Sequence, residues 1–171
     1  MKKYGIGKED YIGENIDERI DEMFGCDFKS KSKKWNKIVK TYNKIAYFRV
    51  TFDEVPYCII HYDNDGKNKN TGYVYFKWCK IDNPSMEDLG DLLHEIGHII
   101  TNRDGMCQAE EEFLATQWAI NNSKRFGVTF SDKRIHQFQV YIFNKRVEDI
   151  RNGLKVPPKS RLTLQKKEYS K

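Results

Sequence analysis

The sequence predicts an α+β fold in which a small, mostly antiparallel sheet of about three strands packs on helices. Apolar residues at helical spacing occur near both ends of the chain, whereas residues 47–78 are rich in β-branched and aromatic residues. A chain of 171 residues is long enough for one domain with a core and short for two. We expect one domain over 1–155 and, after Pro157-Pro158, a basic flexible tail over 156–171.

Each element is bounded by its own local signals, such as glycine stops, prolines and changes of period. Helices are predicted over 10–24, 32–46, 85–102, 108–122 and 131–151, and strands over 47–52, 57–62 and 72–78. The second and third strands should form a hairpin with a long polar tip. The strand from Tyr73 to Trp78 is expected to be an exposed edge, able to pair with an extended peptide.

Composition indicates a folded protein that does not enter membranes. Apolar residues make up 39% of the chain, and no run approaches the roughly 20 apolar residues of a membrane span. The first ten residues are polar rather than apolar, so they do not predict a secretion signal. Four widely spaced cysteines without a C-x-x-C pair favour reduced thiols. We therefore expect a cytoplasmic protein.

The net charge of +5 is unevenly distributed along the chain. Residues 29–44 contain seven lysines and no acid, which is typical of a solvated face and, as an alternative, of a surface for nucleic acid or an acidic partner. Residues 82–112 contain nine acids and one base, a local net charge of −8. This second segment should attract a cation and repel phosphate.

The most informative segment, 89–100, contains the pattern H-E-x-x-H at helical spacing. His94 and His98 lie one turn apart on one face, where two imidazoles can bind one metal ion, and Glu95 flanks them as a general base. Gly97 costs the helix about 1 kcal/mol relative to alanine, which predicts that another element passes close to its backbone. The opposite face is an apolar stripe of Leu89, Leu92, Leu93, Ile96, Ile99 and Ile100.

The helix over 108–122 supplies candidates for a third ligand. Glu112 falls within an arc of small residues formed by Ala109, Ala115, Thr116 and Ala119. Small residues let two helices approach closely, so a carboxylate there can reach a metal held by the neighbouring helix. Glu112 is therefore the predicted third ligand. Glu111, about 100° away on the helix, is the alternative.

The two helices together resemble the gluzincin metallopeptidases, and within them the ImmA/IrrE family. That family shows H-E-x-G-H followed by E-x-x-A-x-x-F-A, which maps onto Glu112, Ala115, Trp118 and Ala119, with Trp118 in place of the usual Phe. The match covers residues 45–122. It implies a zincin-like minimal fold and a peptidase that cleaves a protein substrate, such as a phage or mobile-element repressor or another transcriptional regulator.

The resulting hypothesis is a zinc metallo-endopeptidase in which His94, His98 and Glu112 hold Zn²⁺ and Glu95 activates water. The donor that stabilises the oxyanion is left open between His136 and a tyrosine of the hairpin or last helix. One alternative is a non-catalytic protein that binds nucleic acid or an acidic partner through residues 29–44 and the tail, with a structural or relic metal site. A further alternative is a zincin that processes DNA-bound proteins.

Overall fold

The elements follow one another in the order predicted for an α+β fold. The computed structural model describes residues 30–51, 56–61 and 70–165, so the helix predicted over 10–24 lies outside the described residues. The helices are α1 Lys33–Tyr42, α2 Trp78–Ile81, α3 Met86–Thr101, α4 Gln108–Ser123 and α5 Asp132–Arg151, and the strands are β1 Ala46–Thr51, β2 Tyr57–His61 and β3 Thr71–Lys77. The α+β class is confirmed. None of the helices described is long and apolar enough to cross a bilayer.

The three strands form a mixed sheet in the order β1-β3-β2. β2 and β3 pair antiparallel, as the predicted hairpin requires, but β1 and β3 are parallel. Two predictions are therefore wrong: the sheet is not mostly antiparallel, and β3 is its central strand rather than an edge. The reason is burial, because the central position places Val74 and Phe76 over the helices at 0% and 3% exposure. Alternation identifies the buried face of a strand but not its place in the sheet.

Helix α3 is the central element of the core. Five residues of its predicted apolar stripe are at most 2% exposed, whereas the sixth, Ile100, is 38% exposed. Helix α1 packs on the same core through Trp35, Ile38 and Tyr42. α3 begins with a capping box, in which the Ser85 hydroxyl accepts a hydrogen bond from the Asp88 amide at 3.1 Å and the Asp88 carboxylate accepts one from the Ser85 amide at 2.8 Å.

Residues 156–165, here called the C-terminal strap, pack against α4 and α5. They include a 3-10 helix, Lys159–Leu162, and Leu162 is only 1% exposed. Leu162 joins Cys107, Ala109 and Ile142 in a second hydrophobic cluster. The prediction of a flexible tail from residue 156 does not fit this part of the chain, because its apolar side chains find a surface that is formed only when α4 and α5 pack together.

Candidate metal centre

Three side chains from two helices converge at one point. His94 and His98 extend from the same face of α3, and Glu112 reaches them from α4. The Nε2 atoms of the two histidines are 3.1 Å apart, and Glu112 Oε2 lies 3.2 Å from Nε2 of His94 and 3.6 Å from Nε2 of His98. The site thus contains two imidazole nitrogens and one carboxylate oxygen that could hold a metal ion.

The spacing of these atoms fits a small tetrahedral ion. Nitrogen and oxygen ligands about 2.0–2.1 Å from such an ion lie about 3.3–3.4 Å from one another. The three observed separations bracket that value. Glu111, the alternative ligand, does not join the group, because it lies beside the centre on the helix surface and its carboxylate is not among the converging atoms.

A second layer of hydrogen bonds orients both histidine rings. The Nδ1 atom of His94 is 3.1 Å from Thr116 Oγ1, and Nδ1 of His98 is 3.1 Å and 3.4 Å from the two side-chain amide atoms of Asn102. With Nδ1 engaged outward, each ring presents Nε2 to the centre, and an outer partner of this kind fixes the orientation of a metal-binding histidine.

Sequence reasoning did not assign these roles to Asn102 and Thr116. A signal was present, since each stands four residues after a proposed ligand and therefore one turn along the same helix face. Asn102 follows His98 in this way, and Thr116 follows Glu112.

The electrostatics of the centre favour an ionised Glu112 carboxylate. Burial raises the pKa of Glu112, but hydrogen bonds from His94 and His98 outweigh it and hold that pKa at about 2. Burial lowers the pKa of His98, but the hydrogen bond and negative charge of Glu112 outweigh it, so the net shift is upward. A metal ion and protons therefore compete for the same imidazole nitrogens.

Glu95, the predicted general base, is buried next to the centre with 8% exposure. Burial raises its pKa, opposed by the neighbouring histidines and by a hydrogen bond with the Cys58 thiol of β2. A carboxylate whose pKa is moved up toward neutral pH is suited to accept and return a proton. The contact with Cys58 could not be read from sequence because it joins a strand to a helix 37 positions away in the chain.

The centre opens into a cleft of about 660 Å³ between β2, α3 and α5. Strand β2 contributes Tyr57, Cys58 and Ile60 to its lining. Tyr141 of α5 also lines the cleft, whereas His136, one of the candidate oxyanion donors, does not. Helix α5 therefore forms one wall of the cleft.

Helix α5 also supports the ring of the first histidine. The Phe138 ring stacks on His94, with centroids 5.2 Å apart and an interplanar angle of 27°. The guanidinium of Arg134 lies 4.5 Å from the centroid of the Phe138 ring. It also forms an ion pair with Asp91 of α3. Aromatic and ionic contacts thus hold α5 against the metal-binding face of α3.

Comparison of the chain with protein-family models, with curated proteins and with solved structures gives no match. The resemblance based on the H-E-x-x-H motif and on the glutamate helix therefore stays a prediction. What these residues establish is a group of two buried histidines and the half-buried Glu112 that could hold a metal ion, beside the buried Glu95 and an open cleft.

Proposed function

We propose that the protein is a zinc-dependent metallo-endopeptidase of the gluzincin type, with a zincin-like fold. The observation that carries the proposal is the convergence of His94 Nε2, His98 Nε2 and Glu112 Oε2 at separations of 3.1–3.6 Å. Two histidines and one glutamate form a ligand set found in catalytic zinc sites, which keep a fourth position open for water or substrate.

The residues around the centre have the chemistry that peptide hydrolysis needs. A bound zinc ion would supply a Lewis acid and a water of lowered pKa. Glu95 would accept the proton of the attacking water and then deliver it to the leaving amine. Its burial removes competing solvent, and the Cys58 thiol orients its carboxylate. Tyr141 is the tyrosine of the last helix that lines the cleft, so it is our candidate donor to the oxyanion.

The substrate peptide is proposed to lie along β2. Among the strands that the structure describes, β2 is at the edge of the sheet, and its residues line the cleft. An extended peptide can add to such an edge through backbone hydrogen bonds, while alternate side chains contact the cleft. The resemblance to the ImmA/IrrE family extends the proposal to a cytoplasmic regulator, such as a phage or mobile-element repressor, as the substrate.

Metal content tests the ligand set directly. Purified wild-type protein should carry about one zinc per chain by mass spectrometry of the metal, and Glu112→Gln should lose it. Glu111→Gln is the matched control, because it removes the neighbouring carboxylate from the same cleft and should keep the metal. Folded wild-type protein that takes up no zinc would refute the proposal.

Cleavage tests the catalytic role. Glu95→Gln should keep its zinc and lose proteolysis, because the amide cannot accept the proton of water. Comparing protein termini in cells that contain either wild-type protein or Glu95→Gln should reveal the cleaved substrate. Equal sets of termini, with zinc bound to both proteins, would leave a metal site without peptidase activity and so contradict the proposal.

A further inference from the structure

The cleft beside the metal centre has an excess of negative charge. Besides the two histidine ligands, the charged side chains that line it are Asp91, Glu95, Glu111, Glu112 and Arg134. Four negative charges therefore stand against one positive charge on the arginine and two on a divalent metal ion, which leaves one negative charge in the cleft. A bound molecule that carries one positive charge would neutralise it.

Glu111 is the charged side chain of this lining that has no partner. Asp91 pairs with Arg134, and Glu112 lies against the two histidines. Glu95 forms a hydrogen bond with a thiol of β2. Among the residues that the structure describes, none forms a hydrogen bond or an ion pair with the half-buried Glu111 carboxylate. Burial of a carboxylate without a counter-charge costs free energy, so a cation placed there stabilises it.

The bases of α5 are held away from Glu111. Burial raises the pKa of Glu111, and the histidine whose charge opposes this shift is His98. Arg134 forms its ion pair one turn before His94, toward the other end of the cleft. Lys145 is held in an ion pair at 2.9 Å within its own helix. In the described part of the chain, no base is therefore left to pair with Glu111.

We propose that Glu111 binds the ammonium or guanidinium group of a lysine or arginine in the substrate peptide. The inference rests on the proposed peptidase function, with the peptide lying along β2. Glu111 directly precedes the metal ligand Glu112, and an extended peptide advances about 3.3 Å per residue, so the basic residue lies within about three residues of the scissile bond. Both basic groups form charge-assisted hydrogen bonds with a carboxylate. The substrate class is thus proteins with a basic residue near the cleaved bond of an extended segment.

Cleavage of a decapeptide library by the zinc-loaded full-length protein, with mass spectrometry of the products, tests the proposal. The library includes norleucine as an uncharged side chain of similar length to lysine. Wild type should prefer lysine or arginine over norleucine at one position near the cleaved bond by roughly 10-fold or more, as one charge-assisted hydrogen bond provides. Glu111→Gln should remove most of this preference, and Glu111→Lys should shift it to aspartate or glutamate at the same position.

Glu110→Gln is the matched control for the preference. Glu110 is the preceding residue of α4, but it lines a cavity between α4 and the C-terminal strap rather than the metal cleft. Its replacement removes the same charge from the same helix and should leave the preference for basic residues at the wild-type value. An equal loss of preference in Glu110→Gln and Glu111→Gln would mean that the helix acts through its net charge, and would overturn the proposed contact.

Peptide binding to zinc-loaded Glu95→Gln separates this inference from the proposed function. Peptides of the same library that this variant retains should carry the basic residue, and addition of Glu111→Gln should abolish that selection. Such selection without cleavage by wild type would support the contact and overturn the peptidase alone. Cleavage without a basic preference, or with a preference that Glu111→Gln keeps, would overturn the contact alone. Neither cleavage nor retention of any peptide would overturn both.

Discussion

The backbone of Gly97 in α3 lies directly against that of Ala115 in α4. A Cβ atom added to Gly97 would lie 2.5 Å from the Ala115 carbonyl oxygen, a distance that real Cβ atoms essentially never show, and 3.0 Å from the Ala115 Cα. The close approach predicted from the glycine is thus confirmed, and the neighbour is the helix that supplies Glu112. Gly97 and Ala115 set the distance between the helices and therefore the distance from the carboxylate to the histidines.

Replacement of Gly97 by alanine should separate the helices. We expect the free energy of unfolding of the metal-free protein to fall by about 1–3 kcal/mol, because the added methyl group meets backbone atoms that cannot rotate away. Zinc affinity should fall as well, since Glu112 moves outward with α4. Urea denaturation and competition with a zinc-binding dye measure the two effects.

Gly90→Ala is the matched control in the same helix. Its Cβ would meet the edge of the Phe130 ring at 2.8 Å, and this side chain can rotate. The substitution should cost less than Gly97→Ala and leave zinc affinity unchanged. If both variants bind zinc as wild type does, the contact between Gly97 and Ala115 does not set the geometry of the centre.

Local patterns predicted those parts of the site that depend on one helix at a time. The spacing of His94 and His98 placed them on one face, and the small residues around Glu112 indicated which carboxylate faces the neighbouring helix. Both inferences use only the helical period.

The features that sequence reasoning missed depend on contacts between distant segments. The N-cap residue of α4, Cys107, makes no side-chain hydrogen bond to the helix. Instead, the buried carboxylate of Asp149 in α5 accepts a hydrogen bond from the Ala109 amide in the first turn of α4, at 2.8 Å. The order of the strands and the packing of the C-terminal strap also depend on contacts between distant segments. Neither has a local signal, because each is decided by which surfaces remain to be buried once the helices have packed.

The hydrogen bonds behind the histidines should tune zinc affinity. Thr116→Val keeps the side-chain shape but removes the hydroxyl that lies 3.1 Å from His94 Nδ1. Loss of such an outer hydrogen bond typically weakens metal binding by about 10- to 100-fold, and we expect Asn102→Leu to act in the same way on His98. Zinc competition titrations measure both variants.

Thr101→Val provides the control for this pair. The Thr101 hydroxyl donates to the Gly97 carbonyl at 2.9 Å, within the same helix, and does not contact a ligand. Zinc affinity should therefore stay at the wild-type value. An equal loss in all three variants would mean that zinc binding responds to general loosening of the helices rather than to ring orientation.

The stability of the metal-free protein should depend on pH through Glu112. Its folded-state pKa of about 2 lies below the ordinary value, so its stabilising contribution is present above pH 4.5 and is lost as the pH falls. The folded-state pKa of His98 lies above its ordinary value of 6.5, so that contribution is present below 6.5 and is lost as the pH rises through the raised pKa. Both contributions act together between these ordinary values.

We therefore expect Glu112→Gln to destabilise the metal-free protein more at about pH 5.5 than at about pH 8.5. The zinc-loaded wild type should be more stable at about pH 8.5 than at about pH 5.5, because protons displace the metal from imidazole as the pH falls. Thermal unfolding with and without a chelator, at both pH values, checks this. A destabilisation of metal-free Glu112→Gln that is the same at the two pH values would contradict the proposed coupling.

The C-terminal strap should contribute measurably to folding. Leu162 is 1% exposed in the second cluster, and Gln139 of α5 binds the strap backbone on both sides of Thr163, donating to the Leu162 carbonyl at 2.8 Å and accepting from the Leu164 amide at 2.7 Å. Leu162→Ala should lower the free energy of unfolding by about 2–5 kcal/mol, as for other fully buried leucines. Leu154, which is 49% exposed, gives the control, with an expected change within about 0.5 kcal/mol for Leu154→Ala. Urea denaturation measures the free energy of unfolding of the two variants. If the strap were a free tail, both substitutions would have the same small effect.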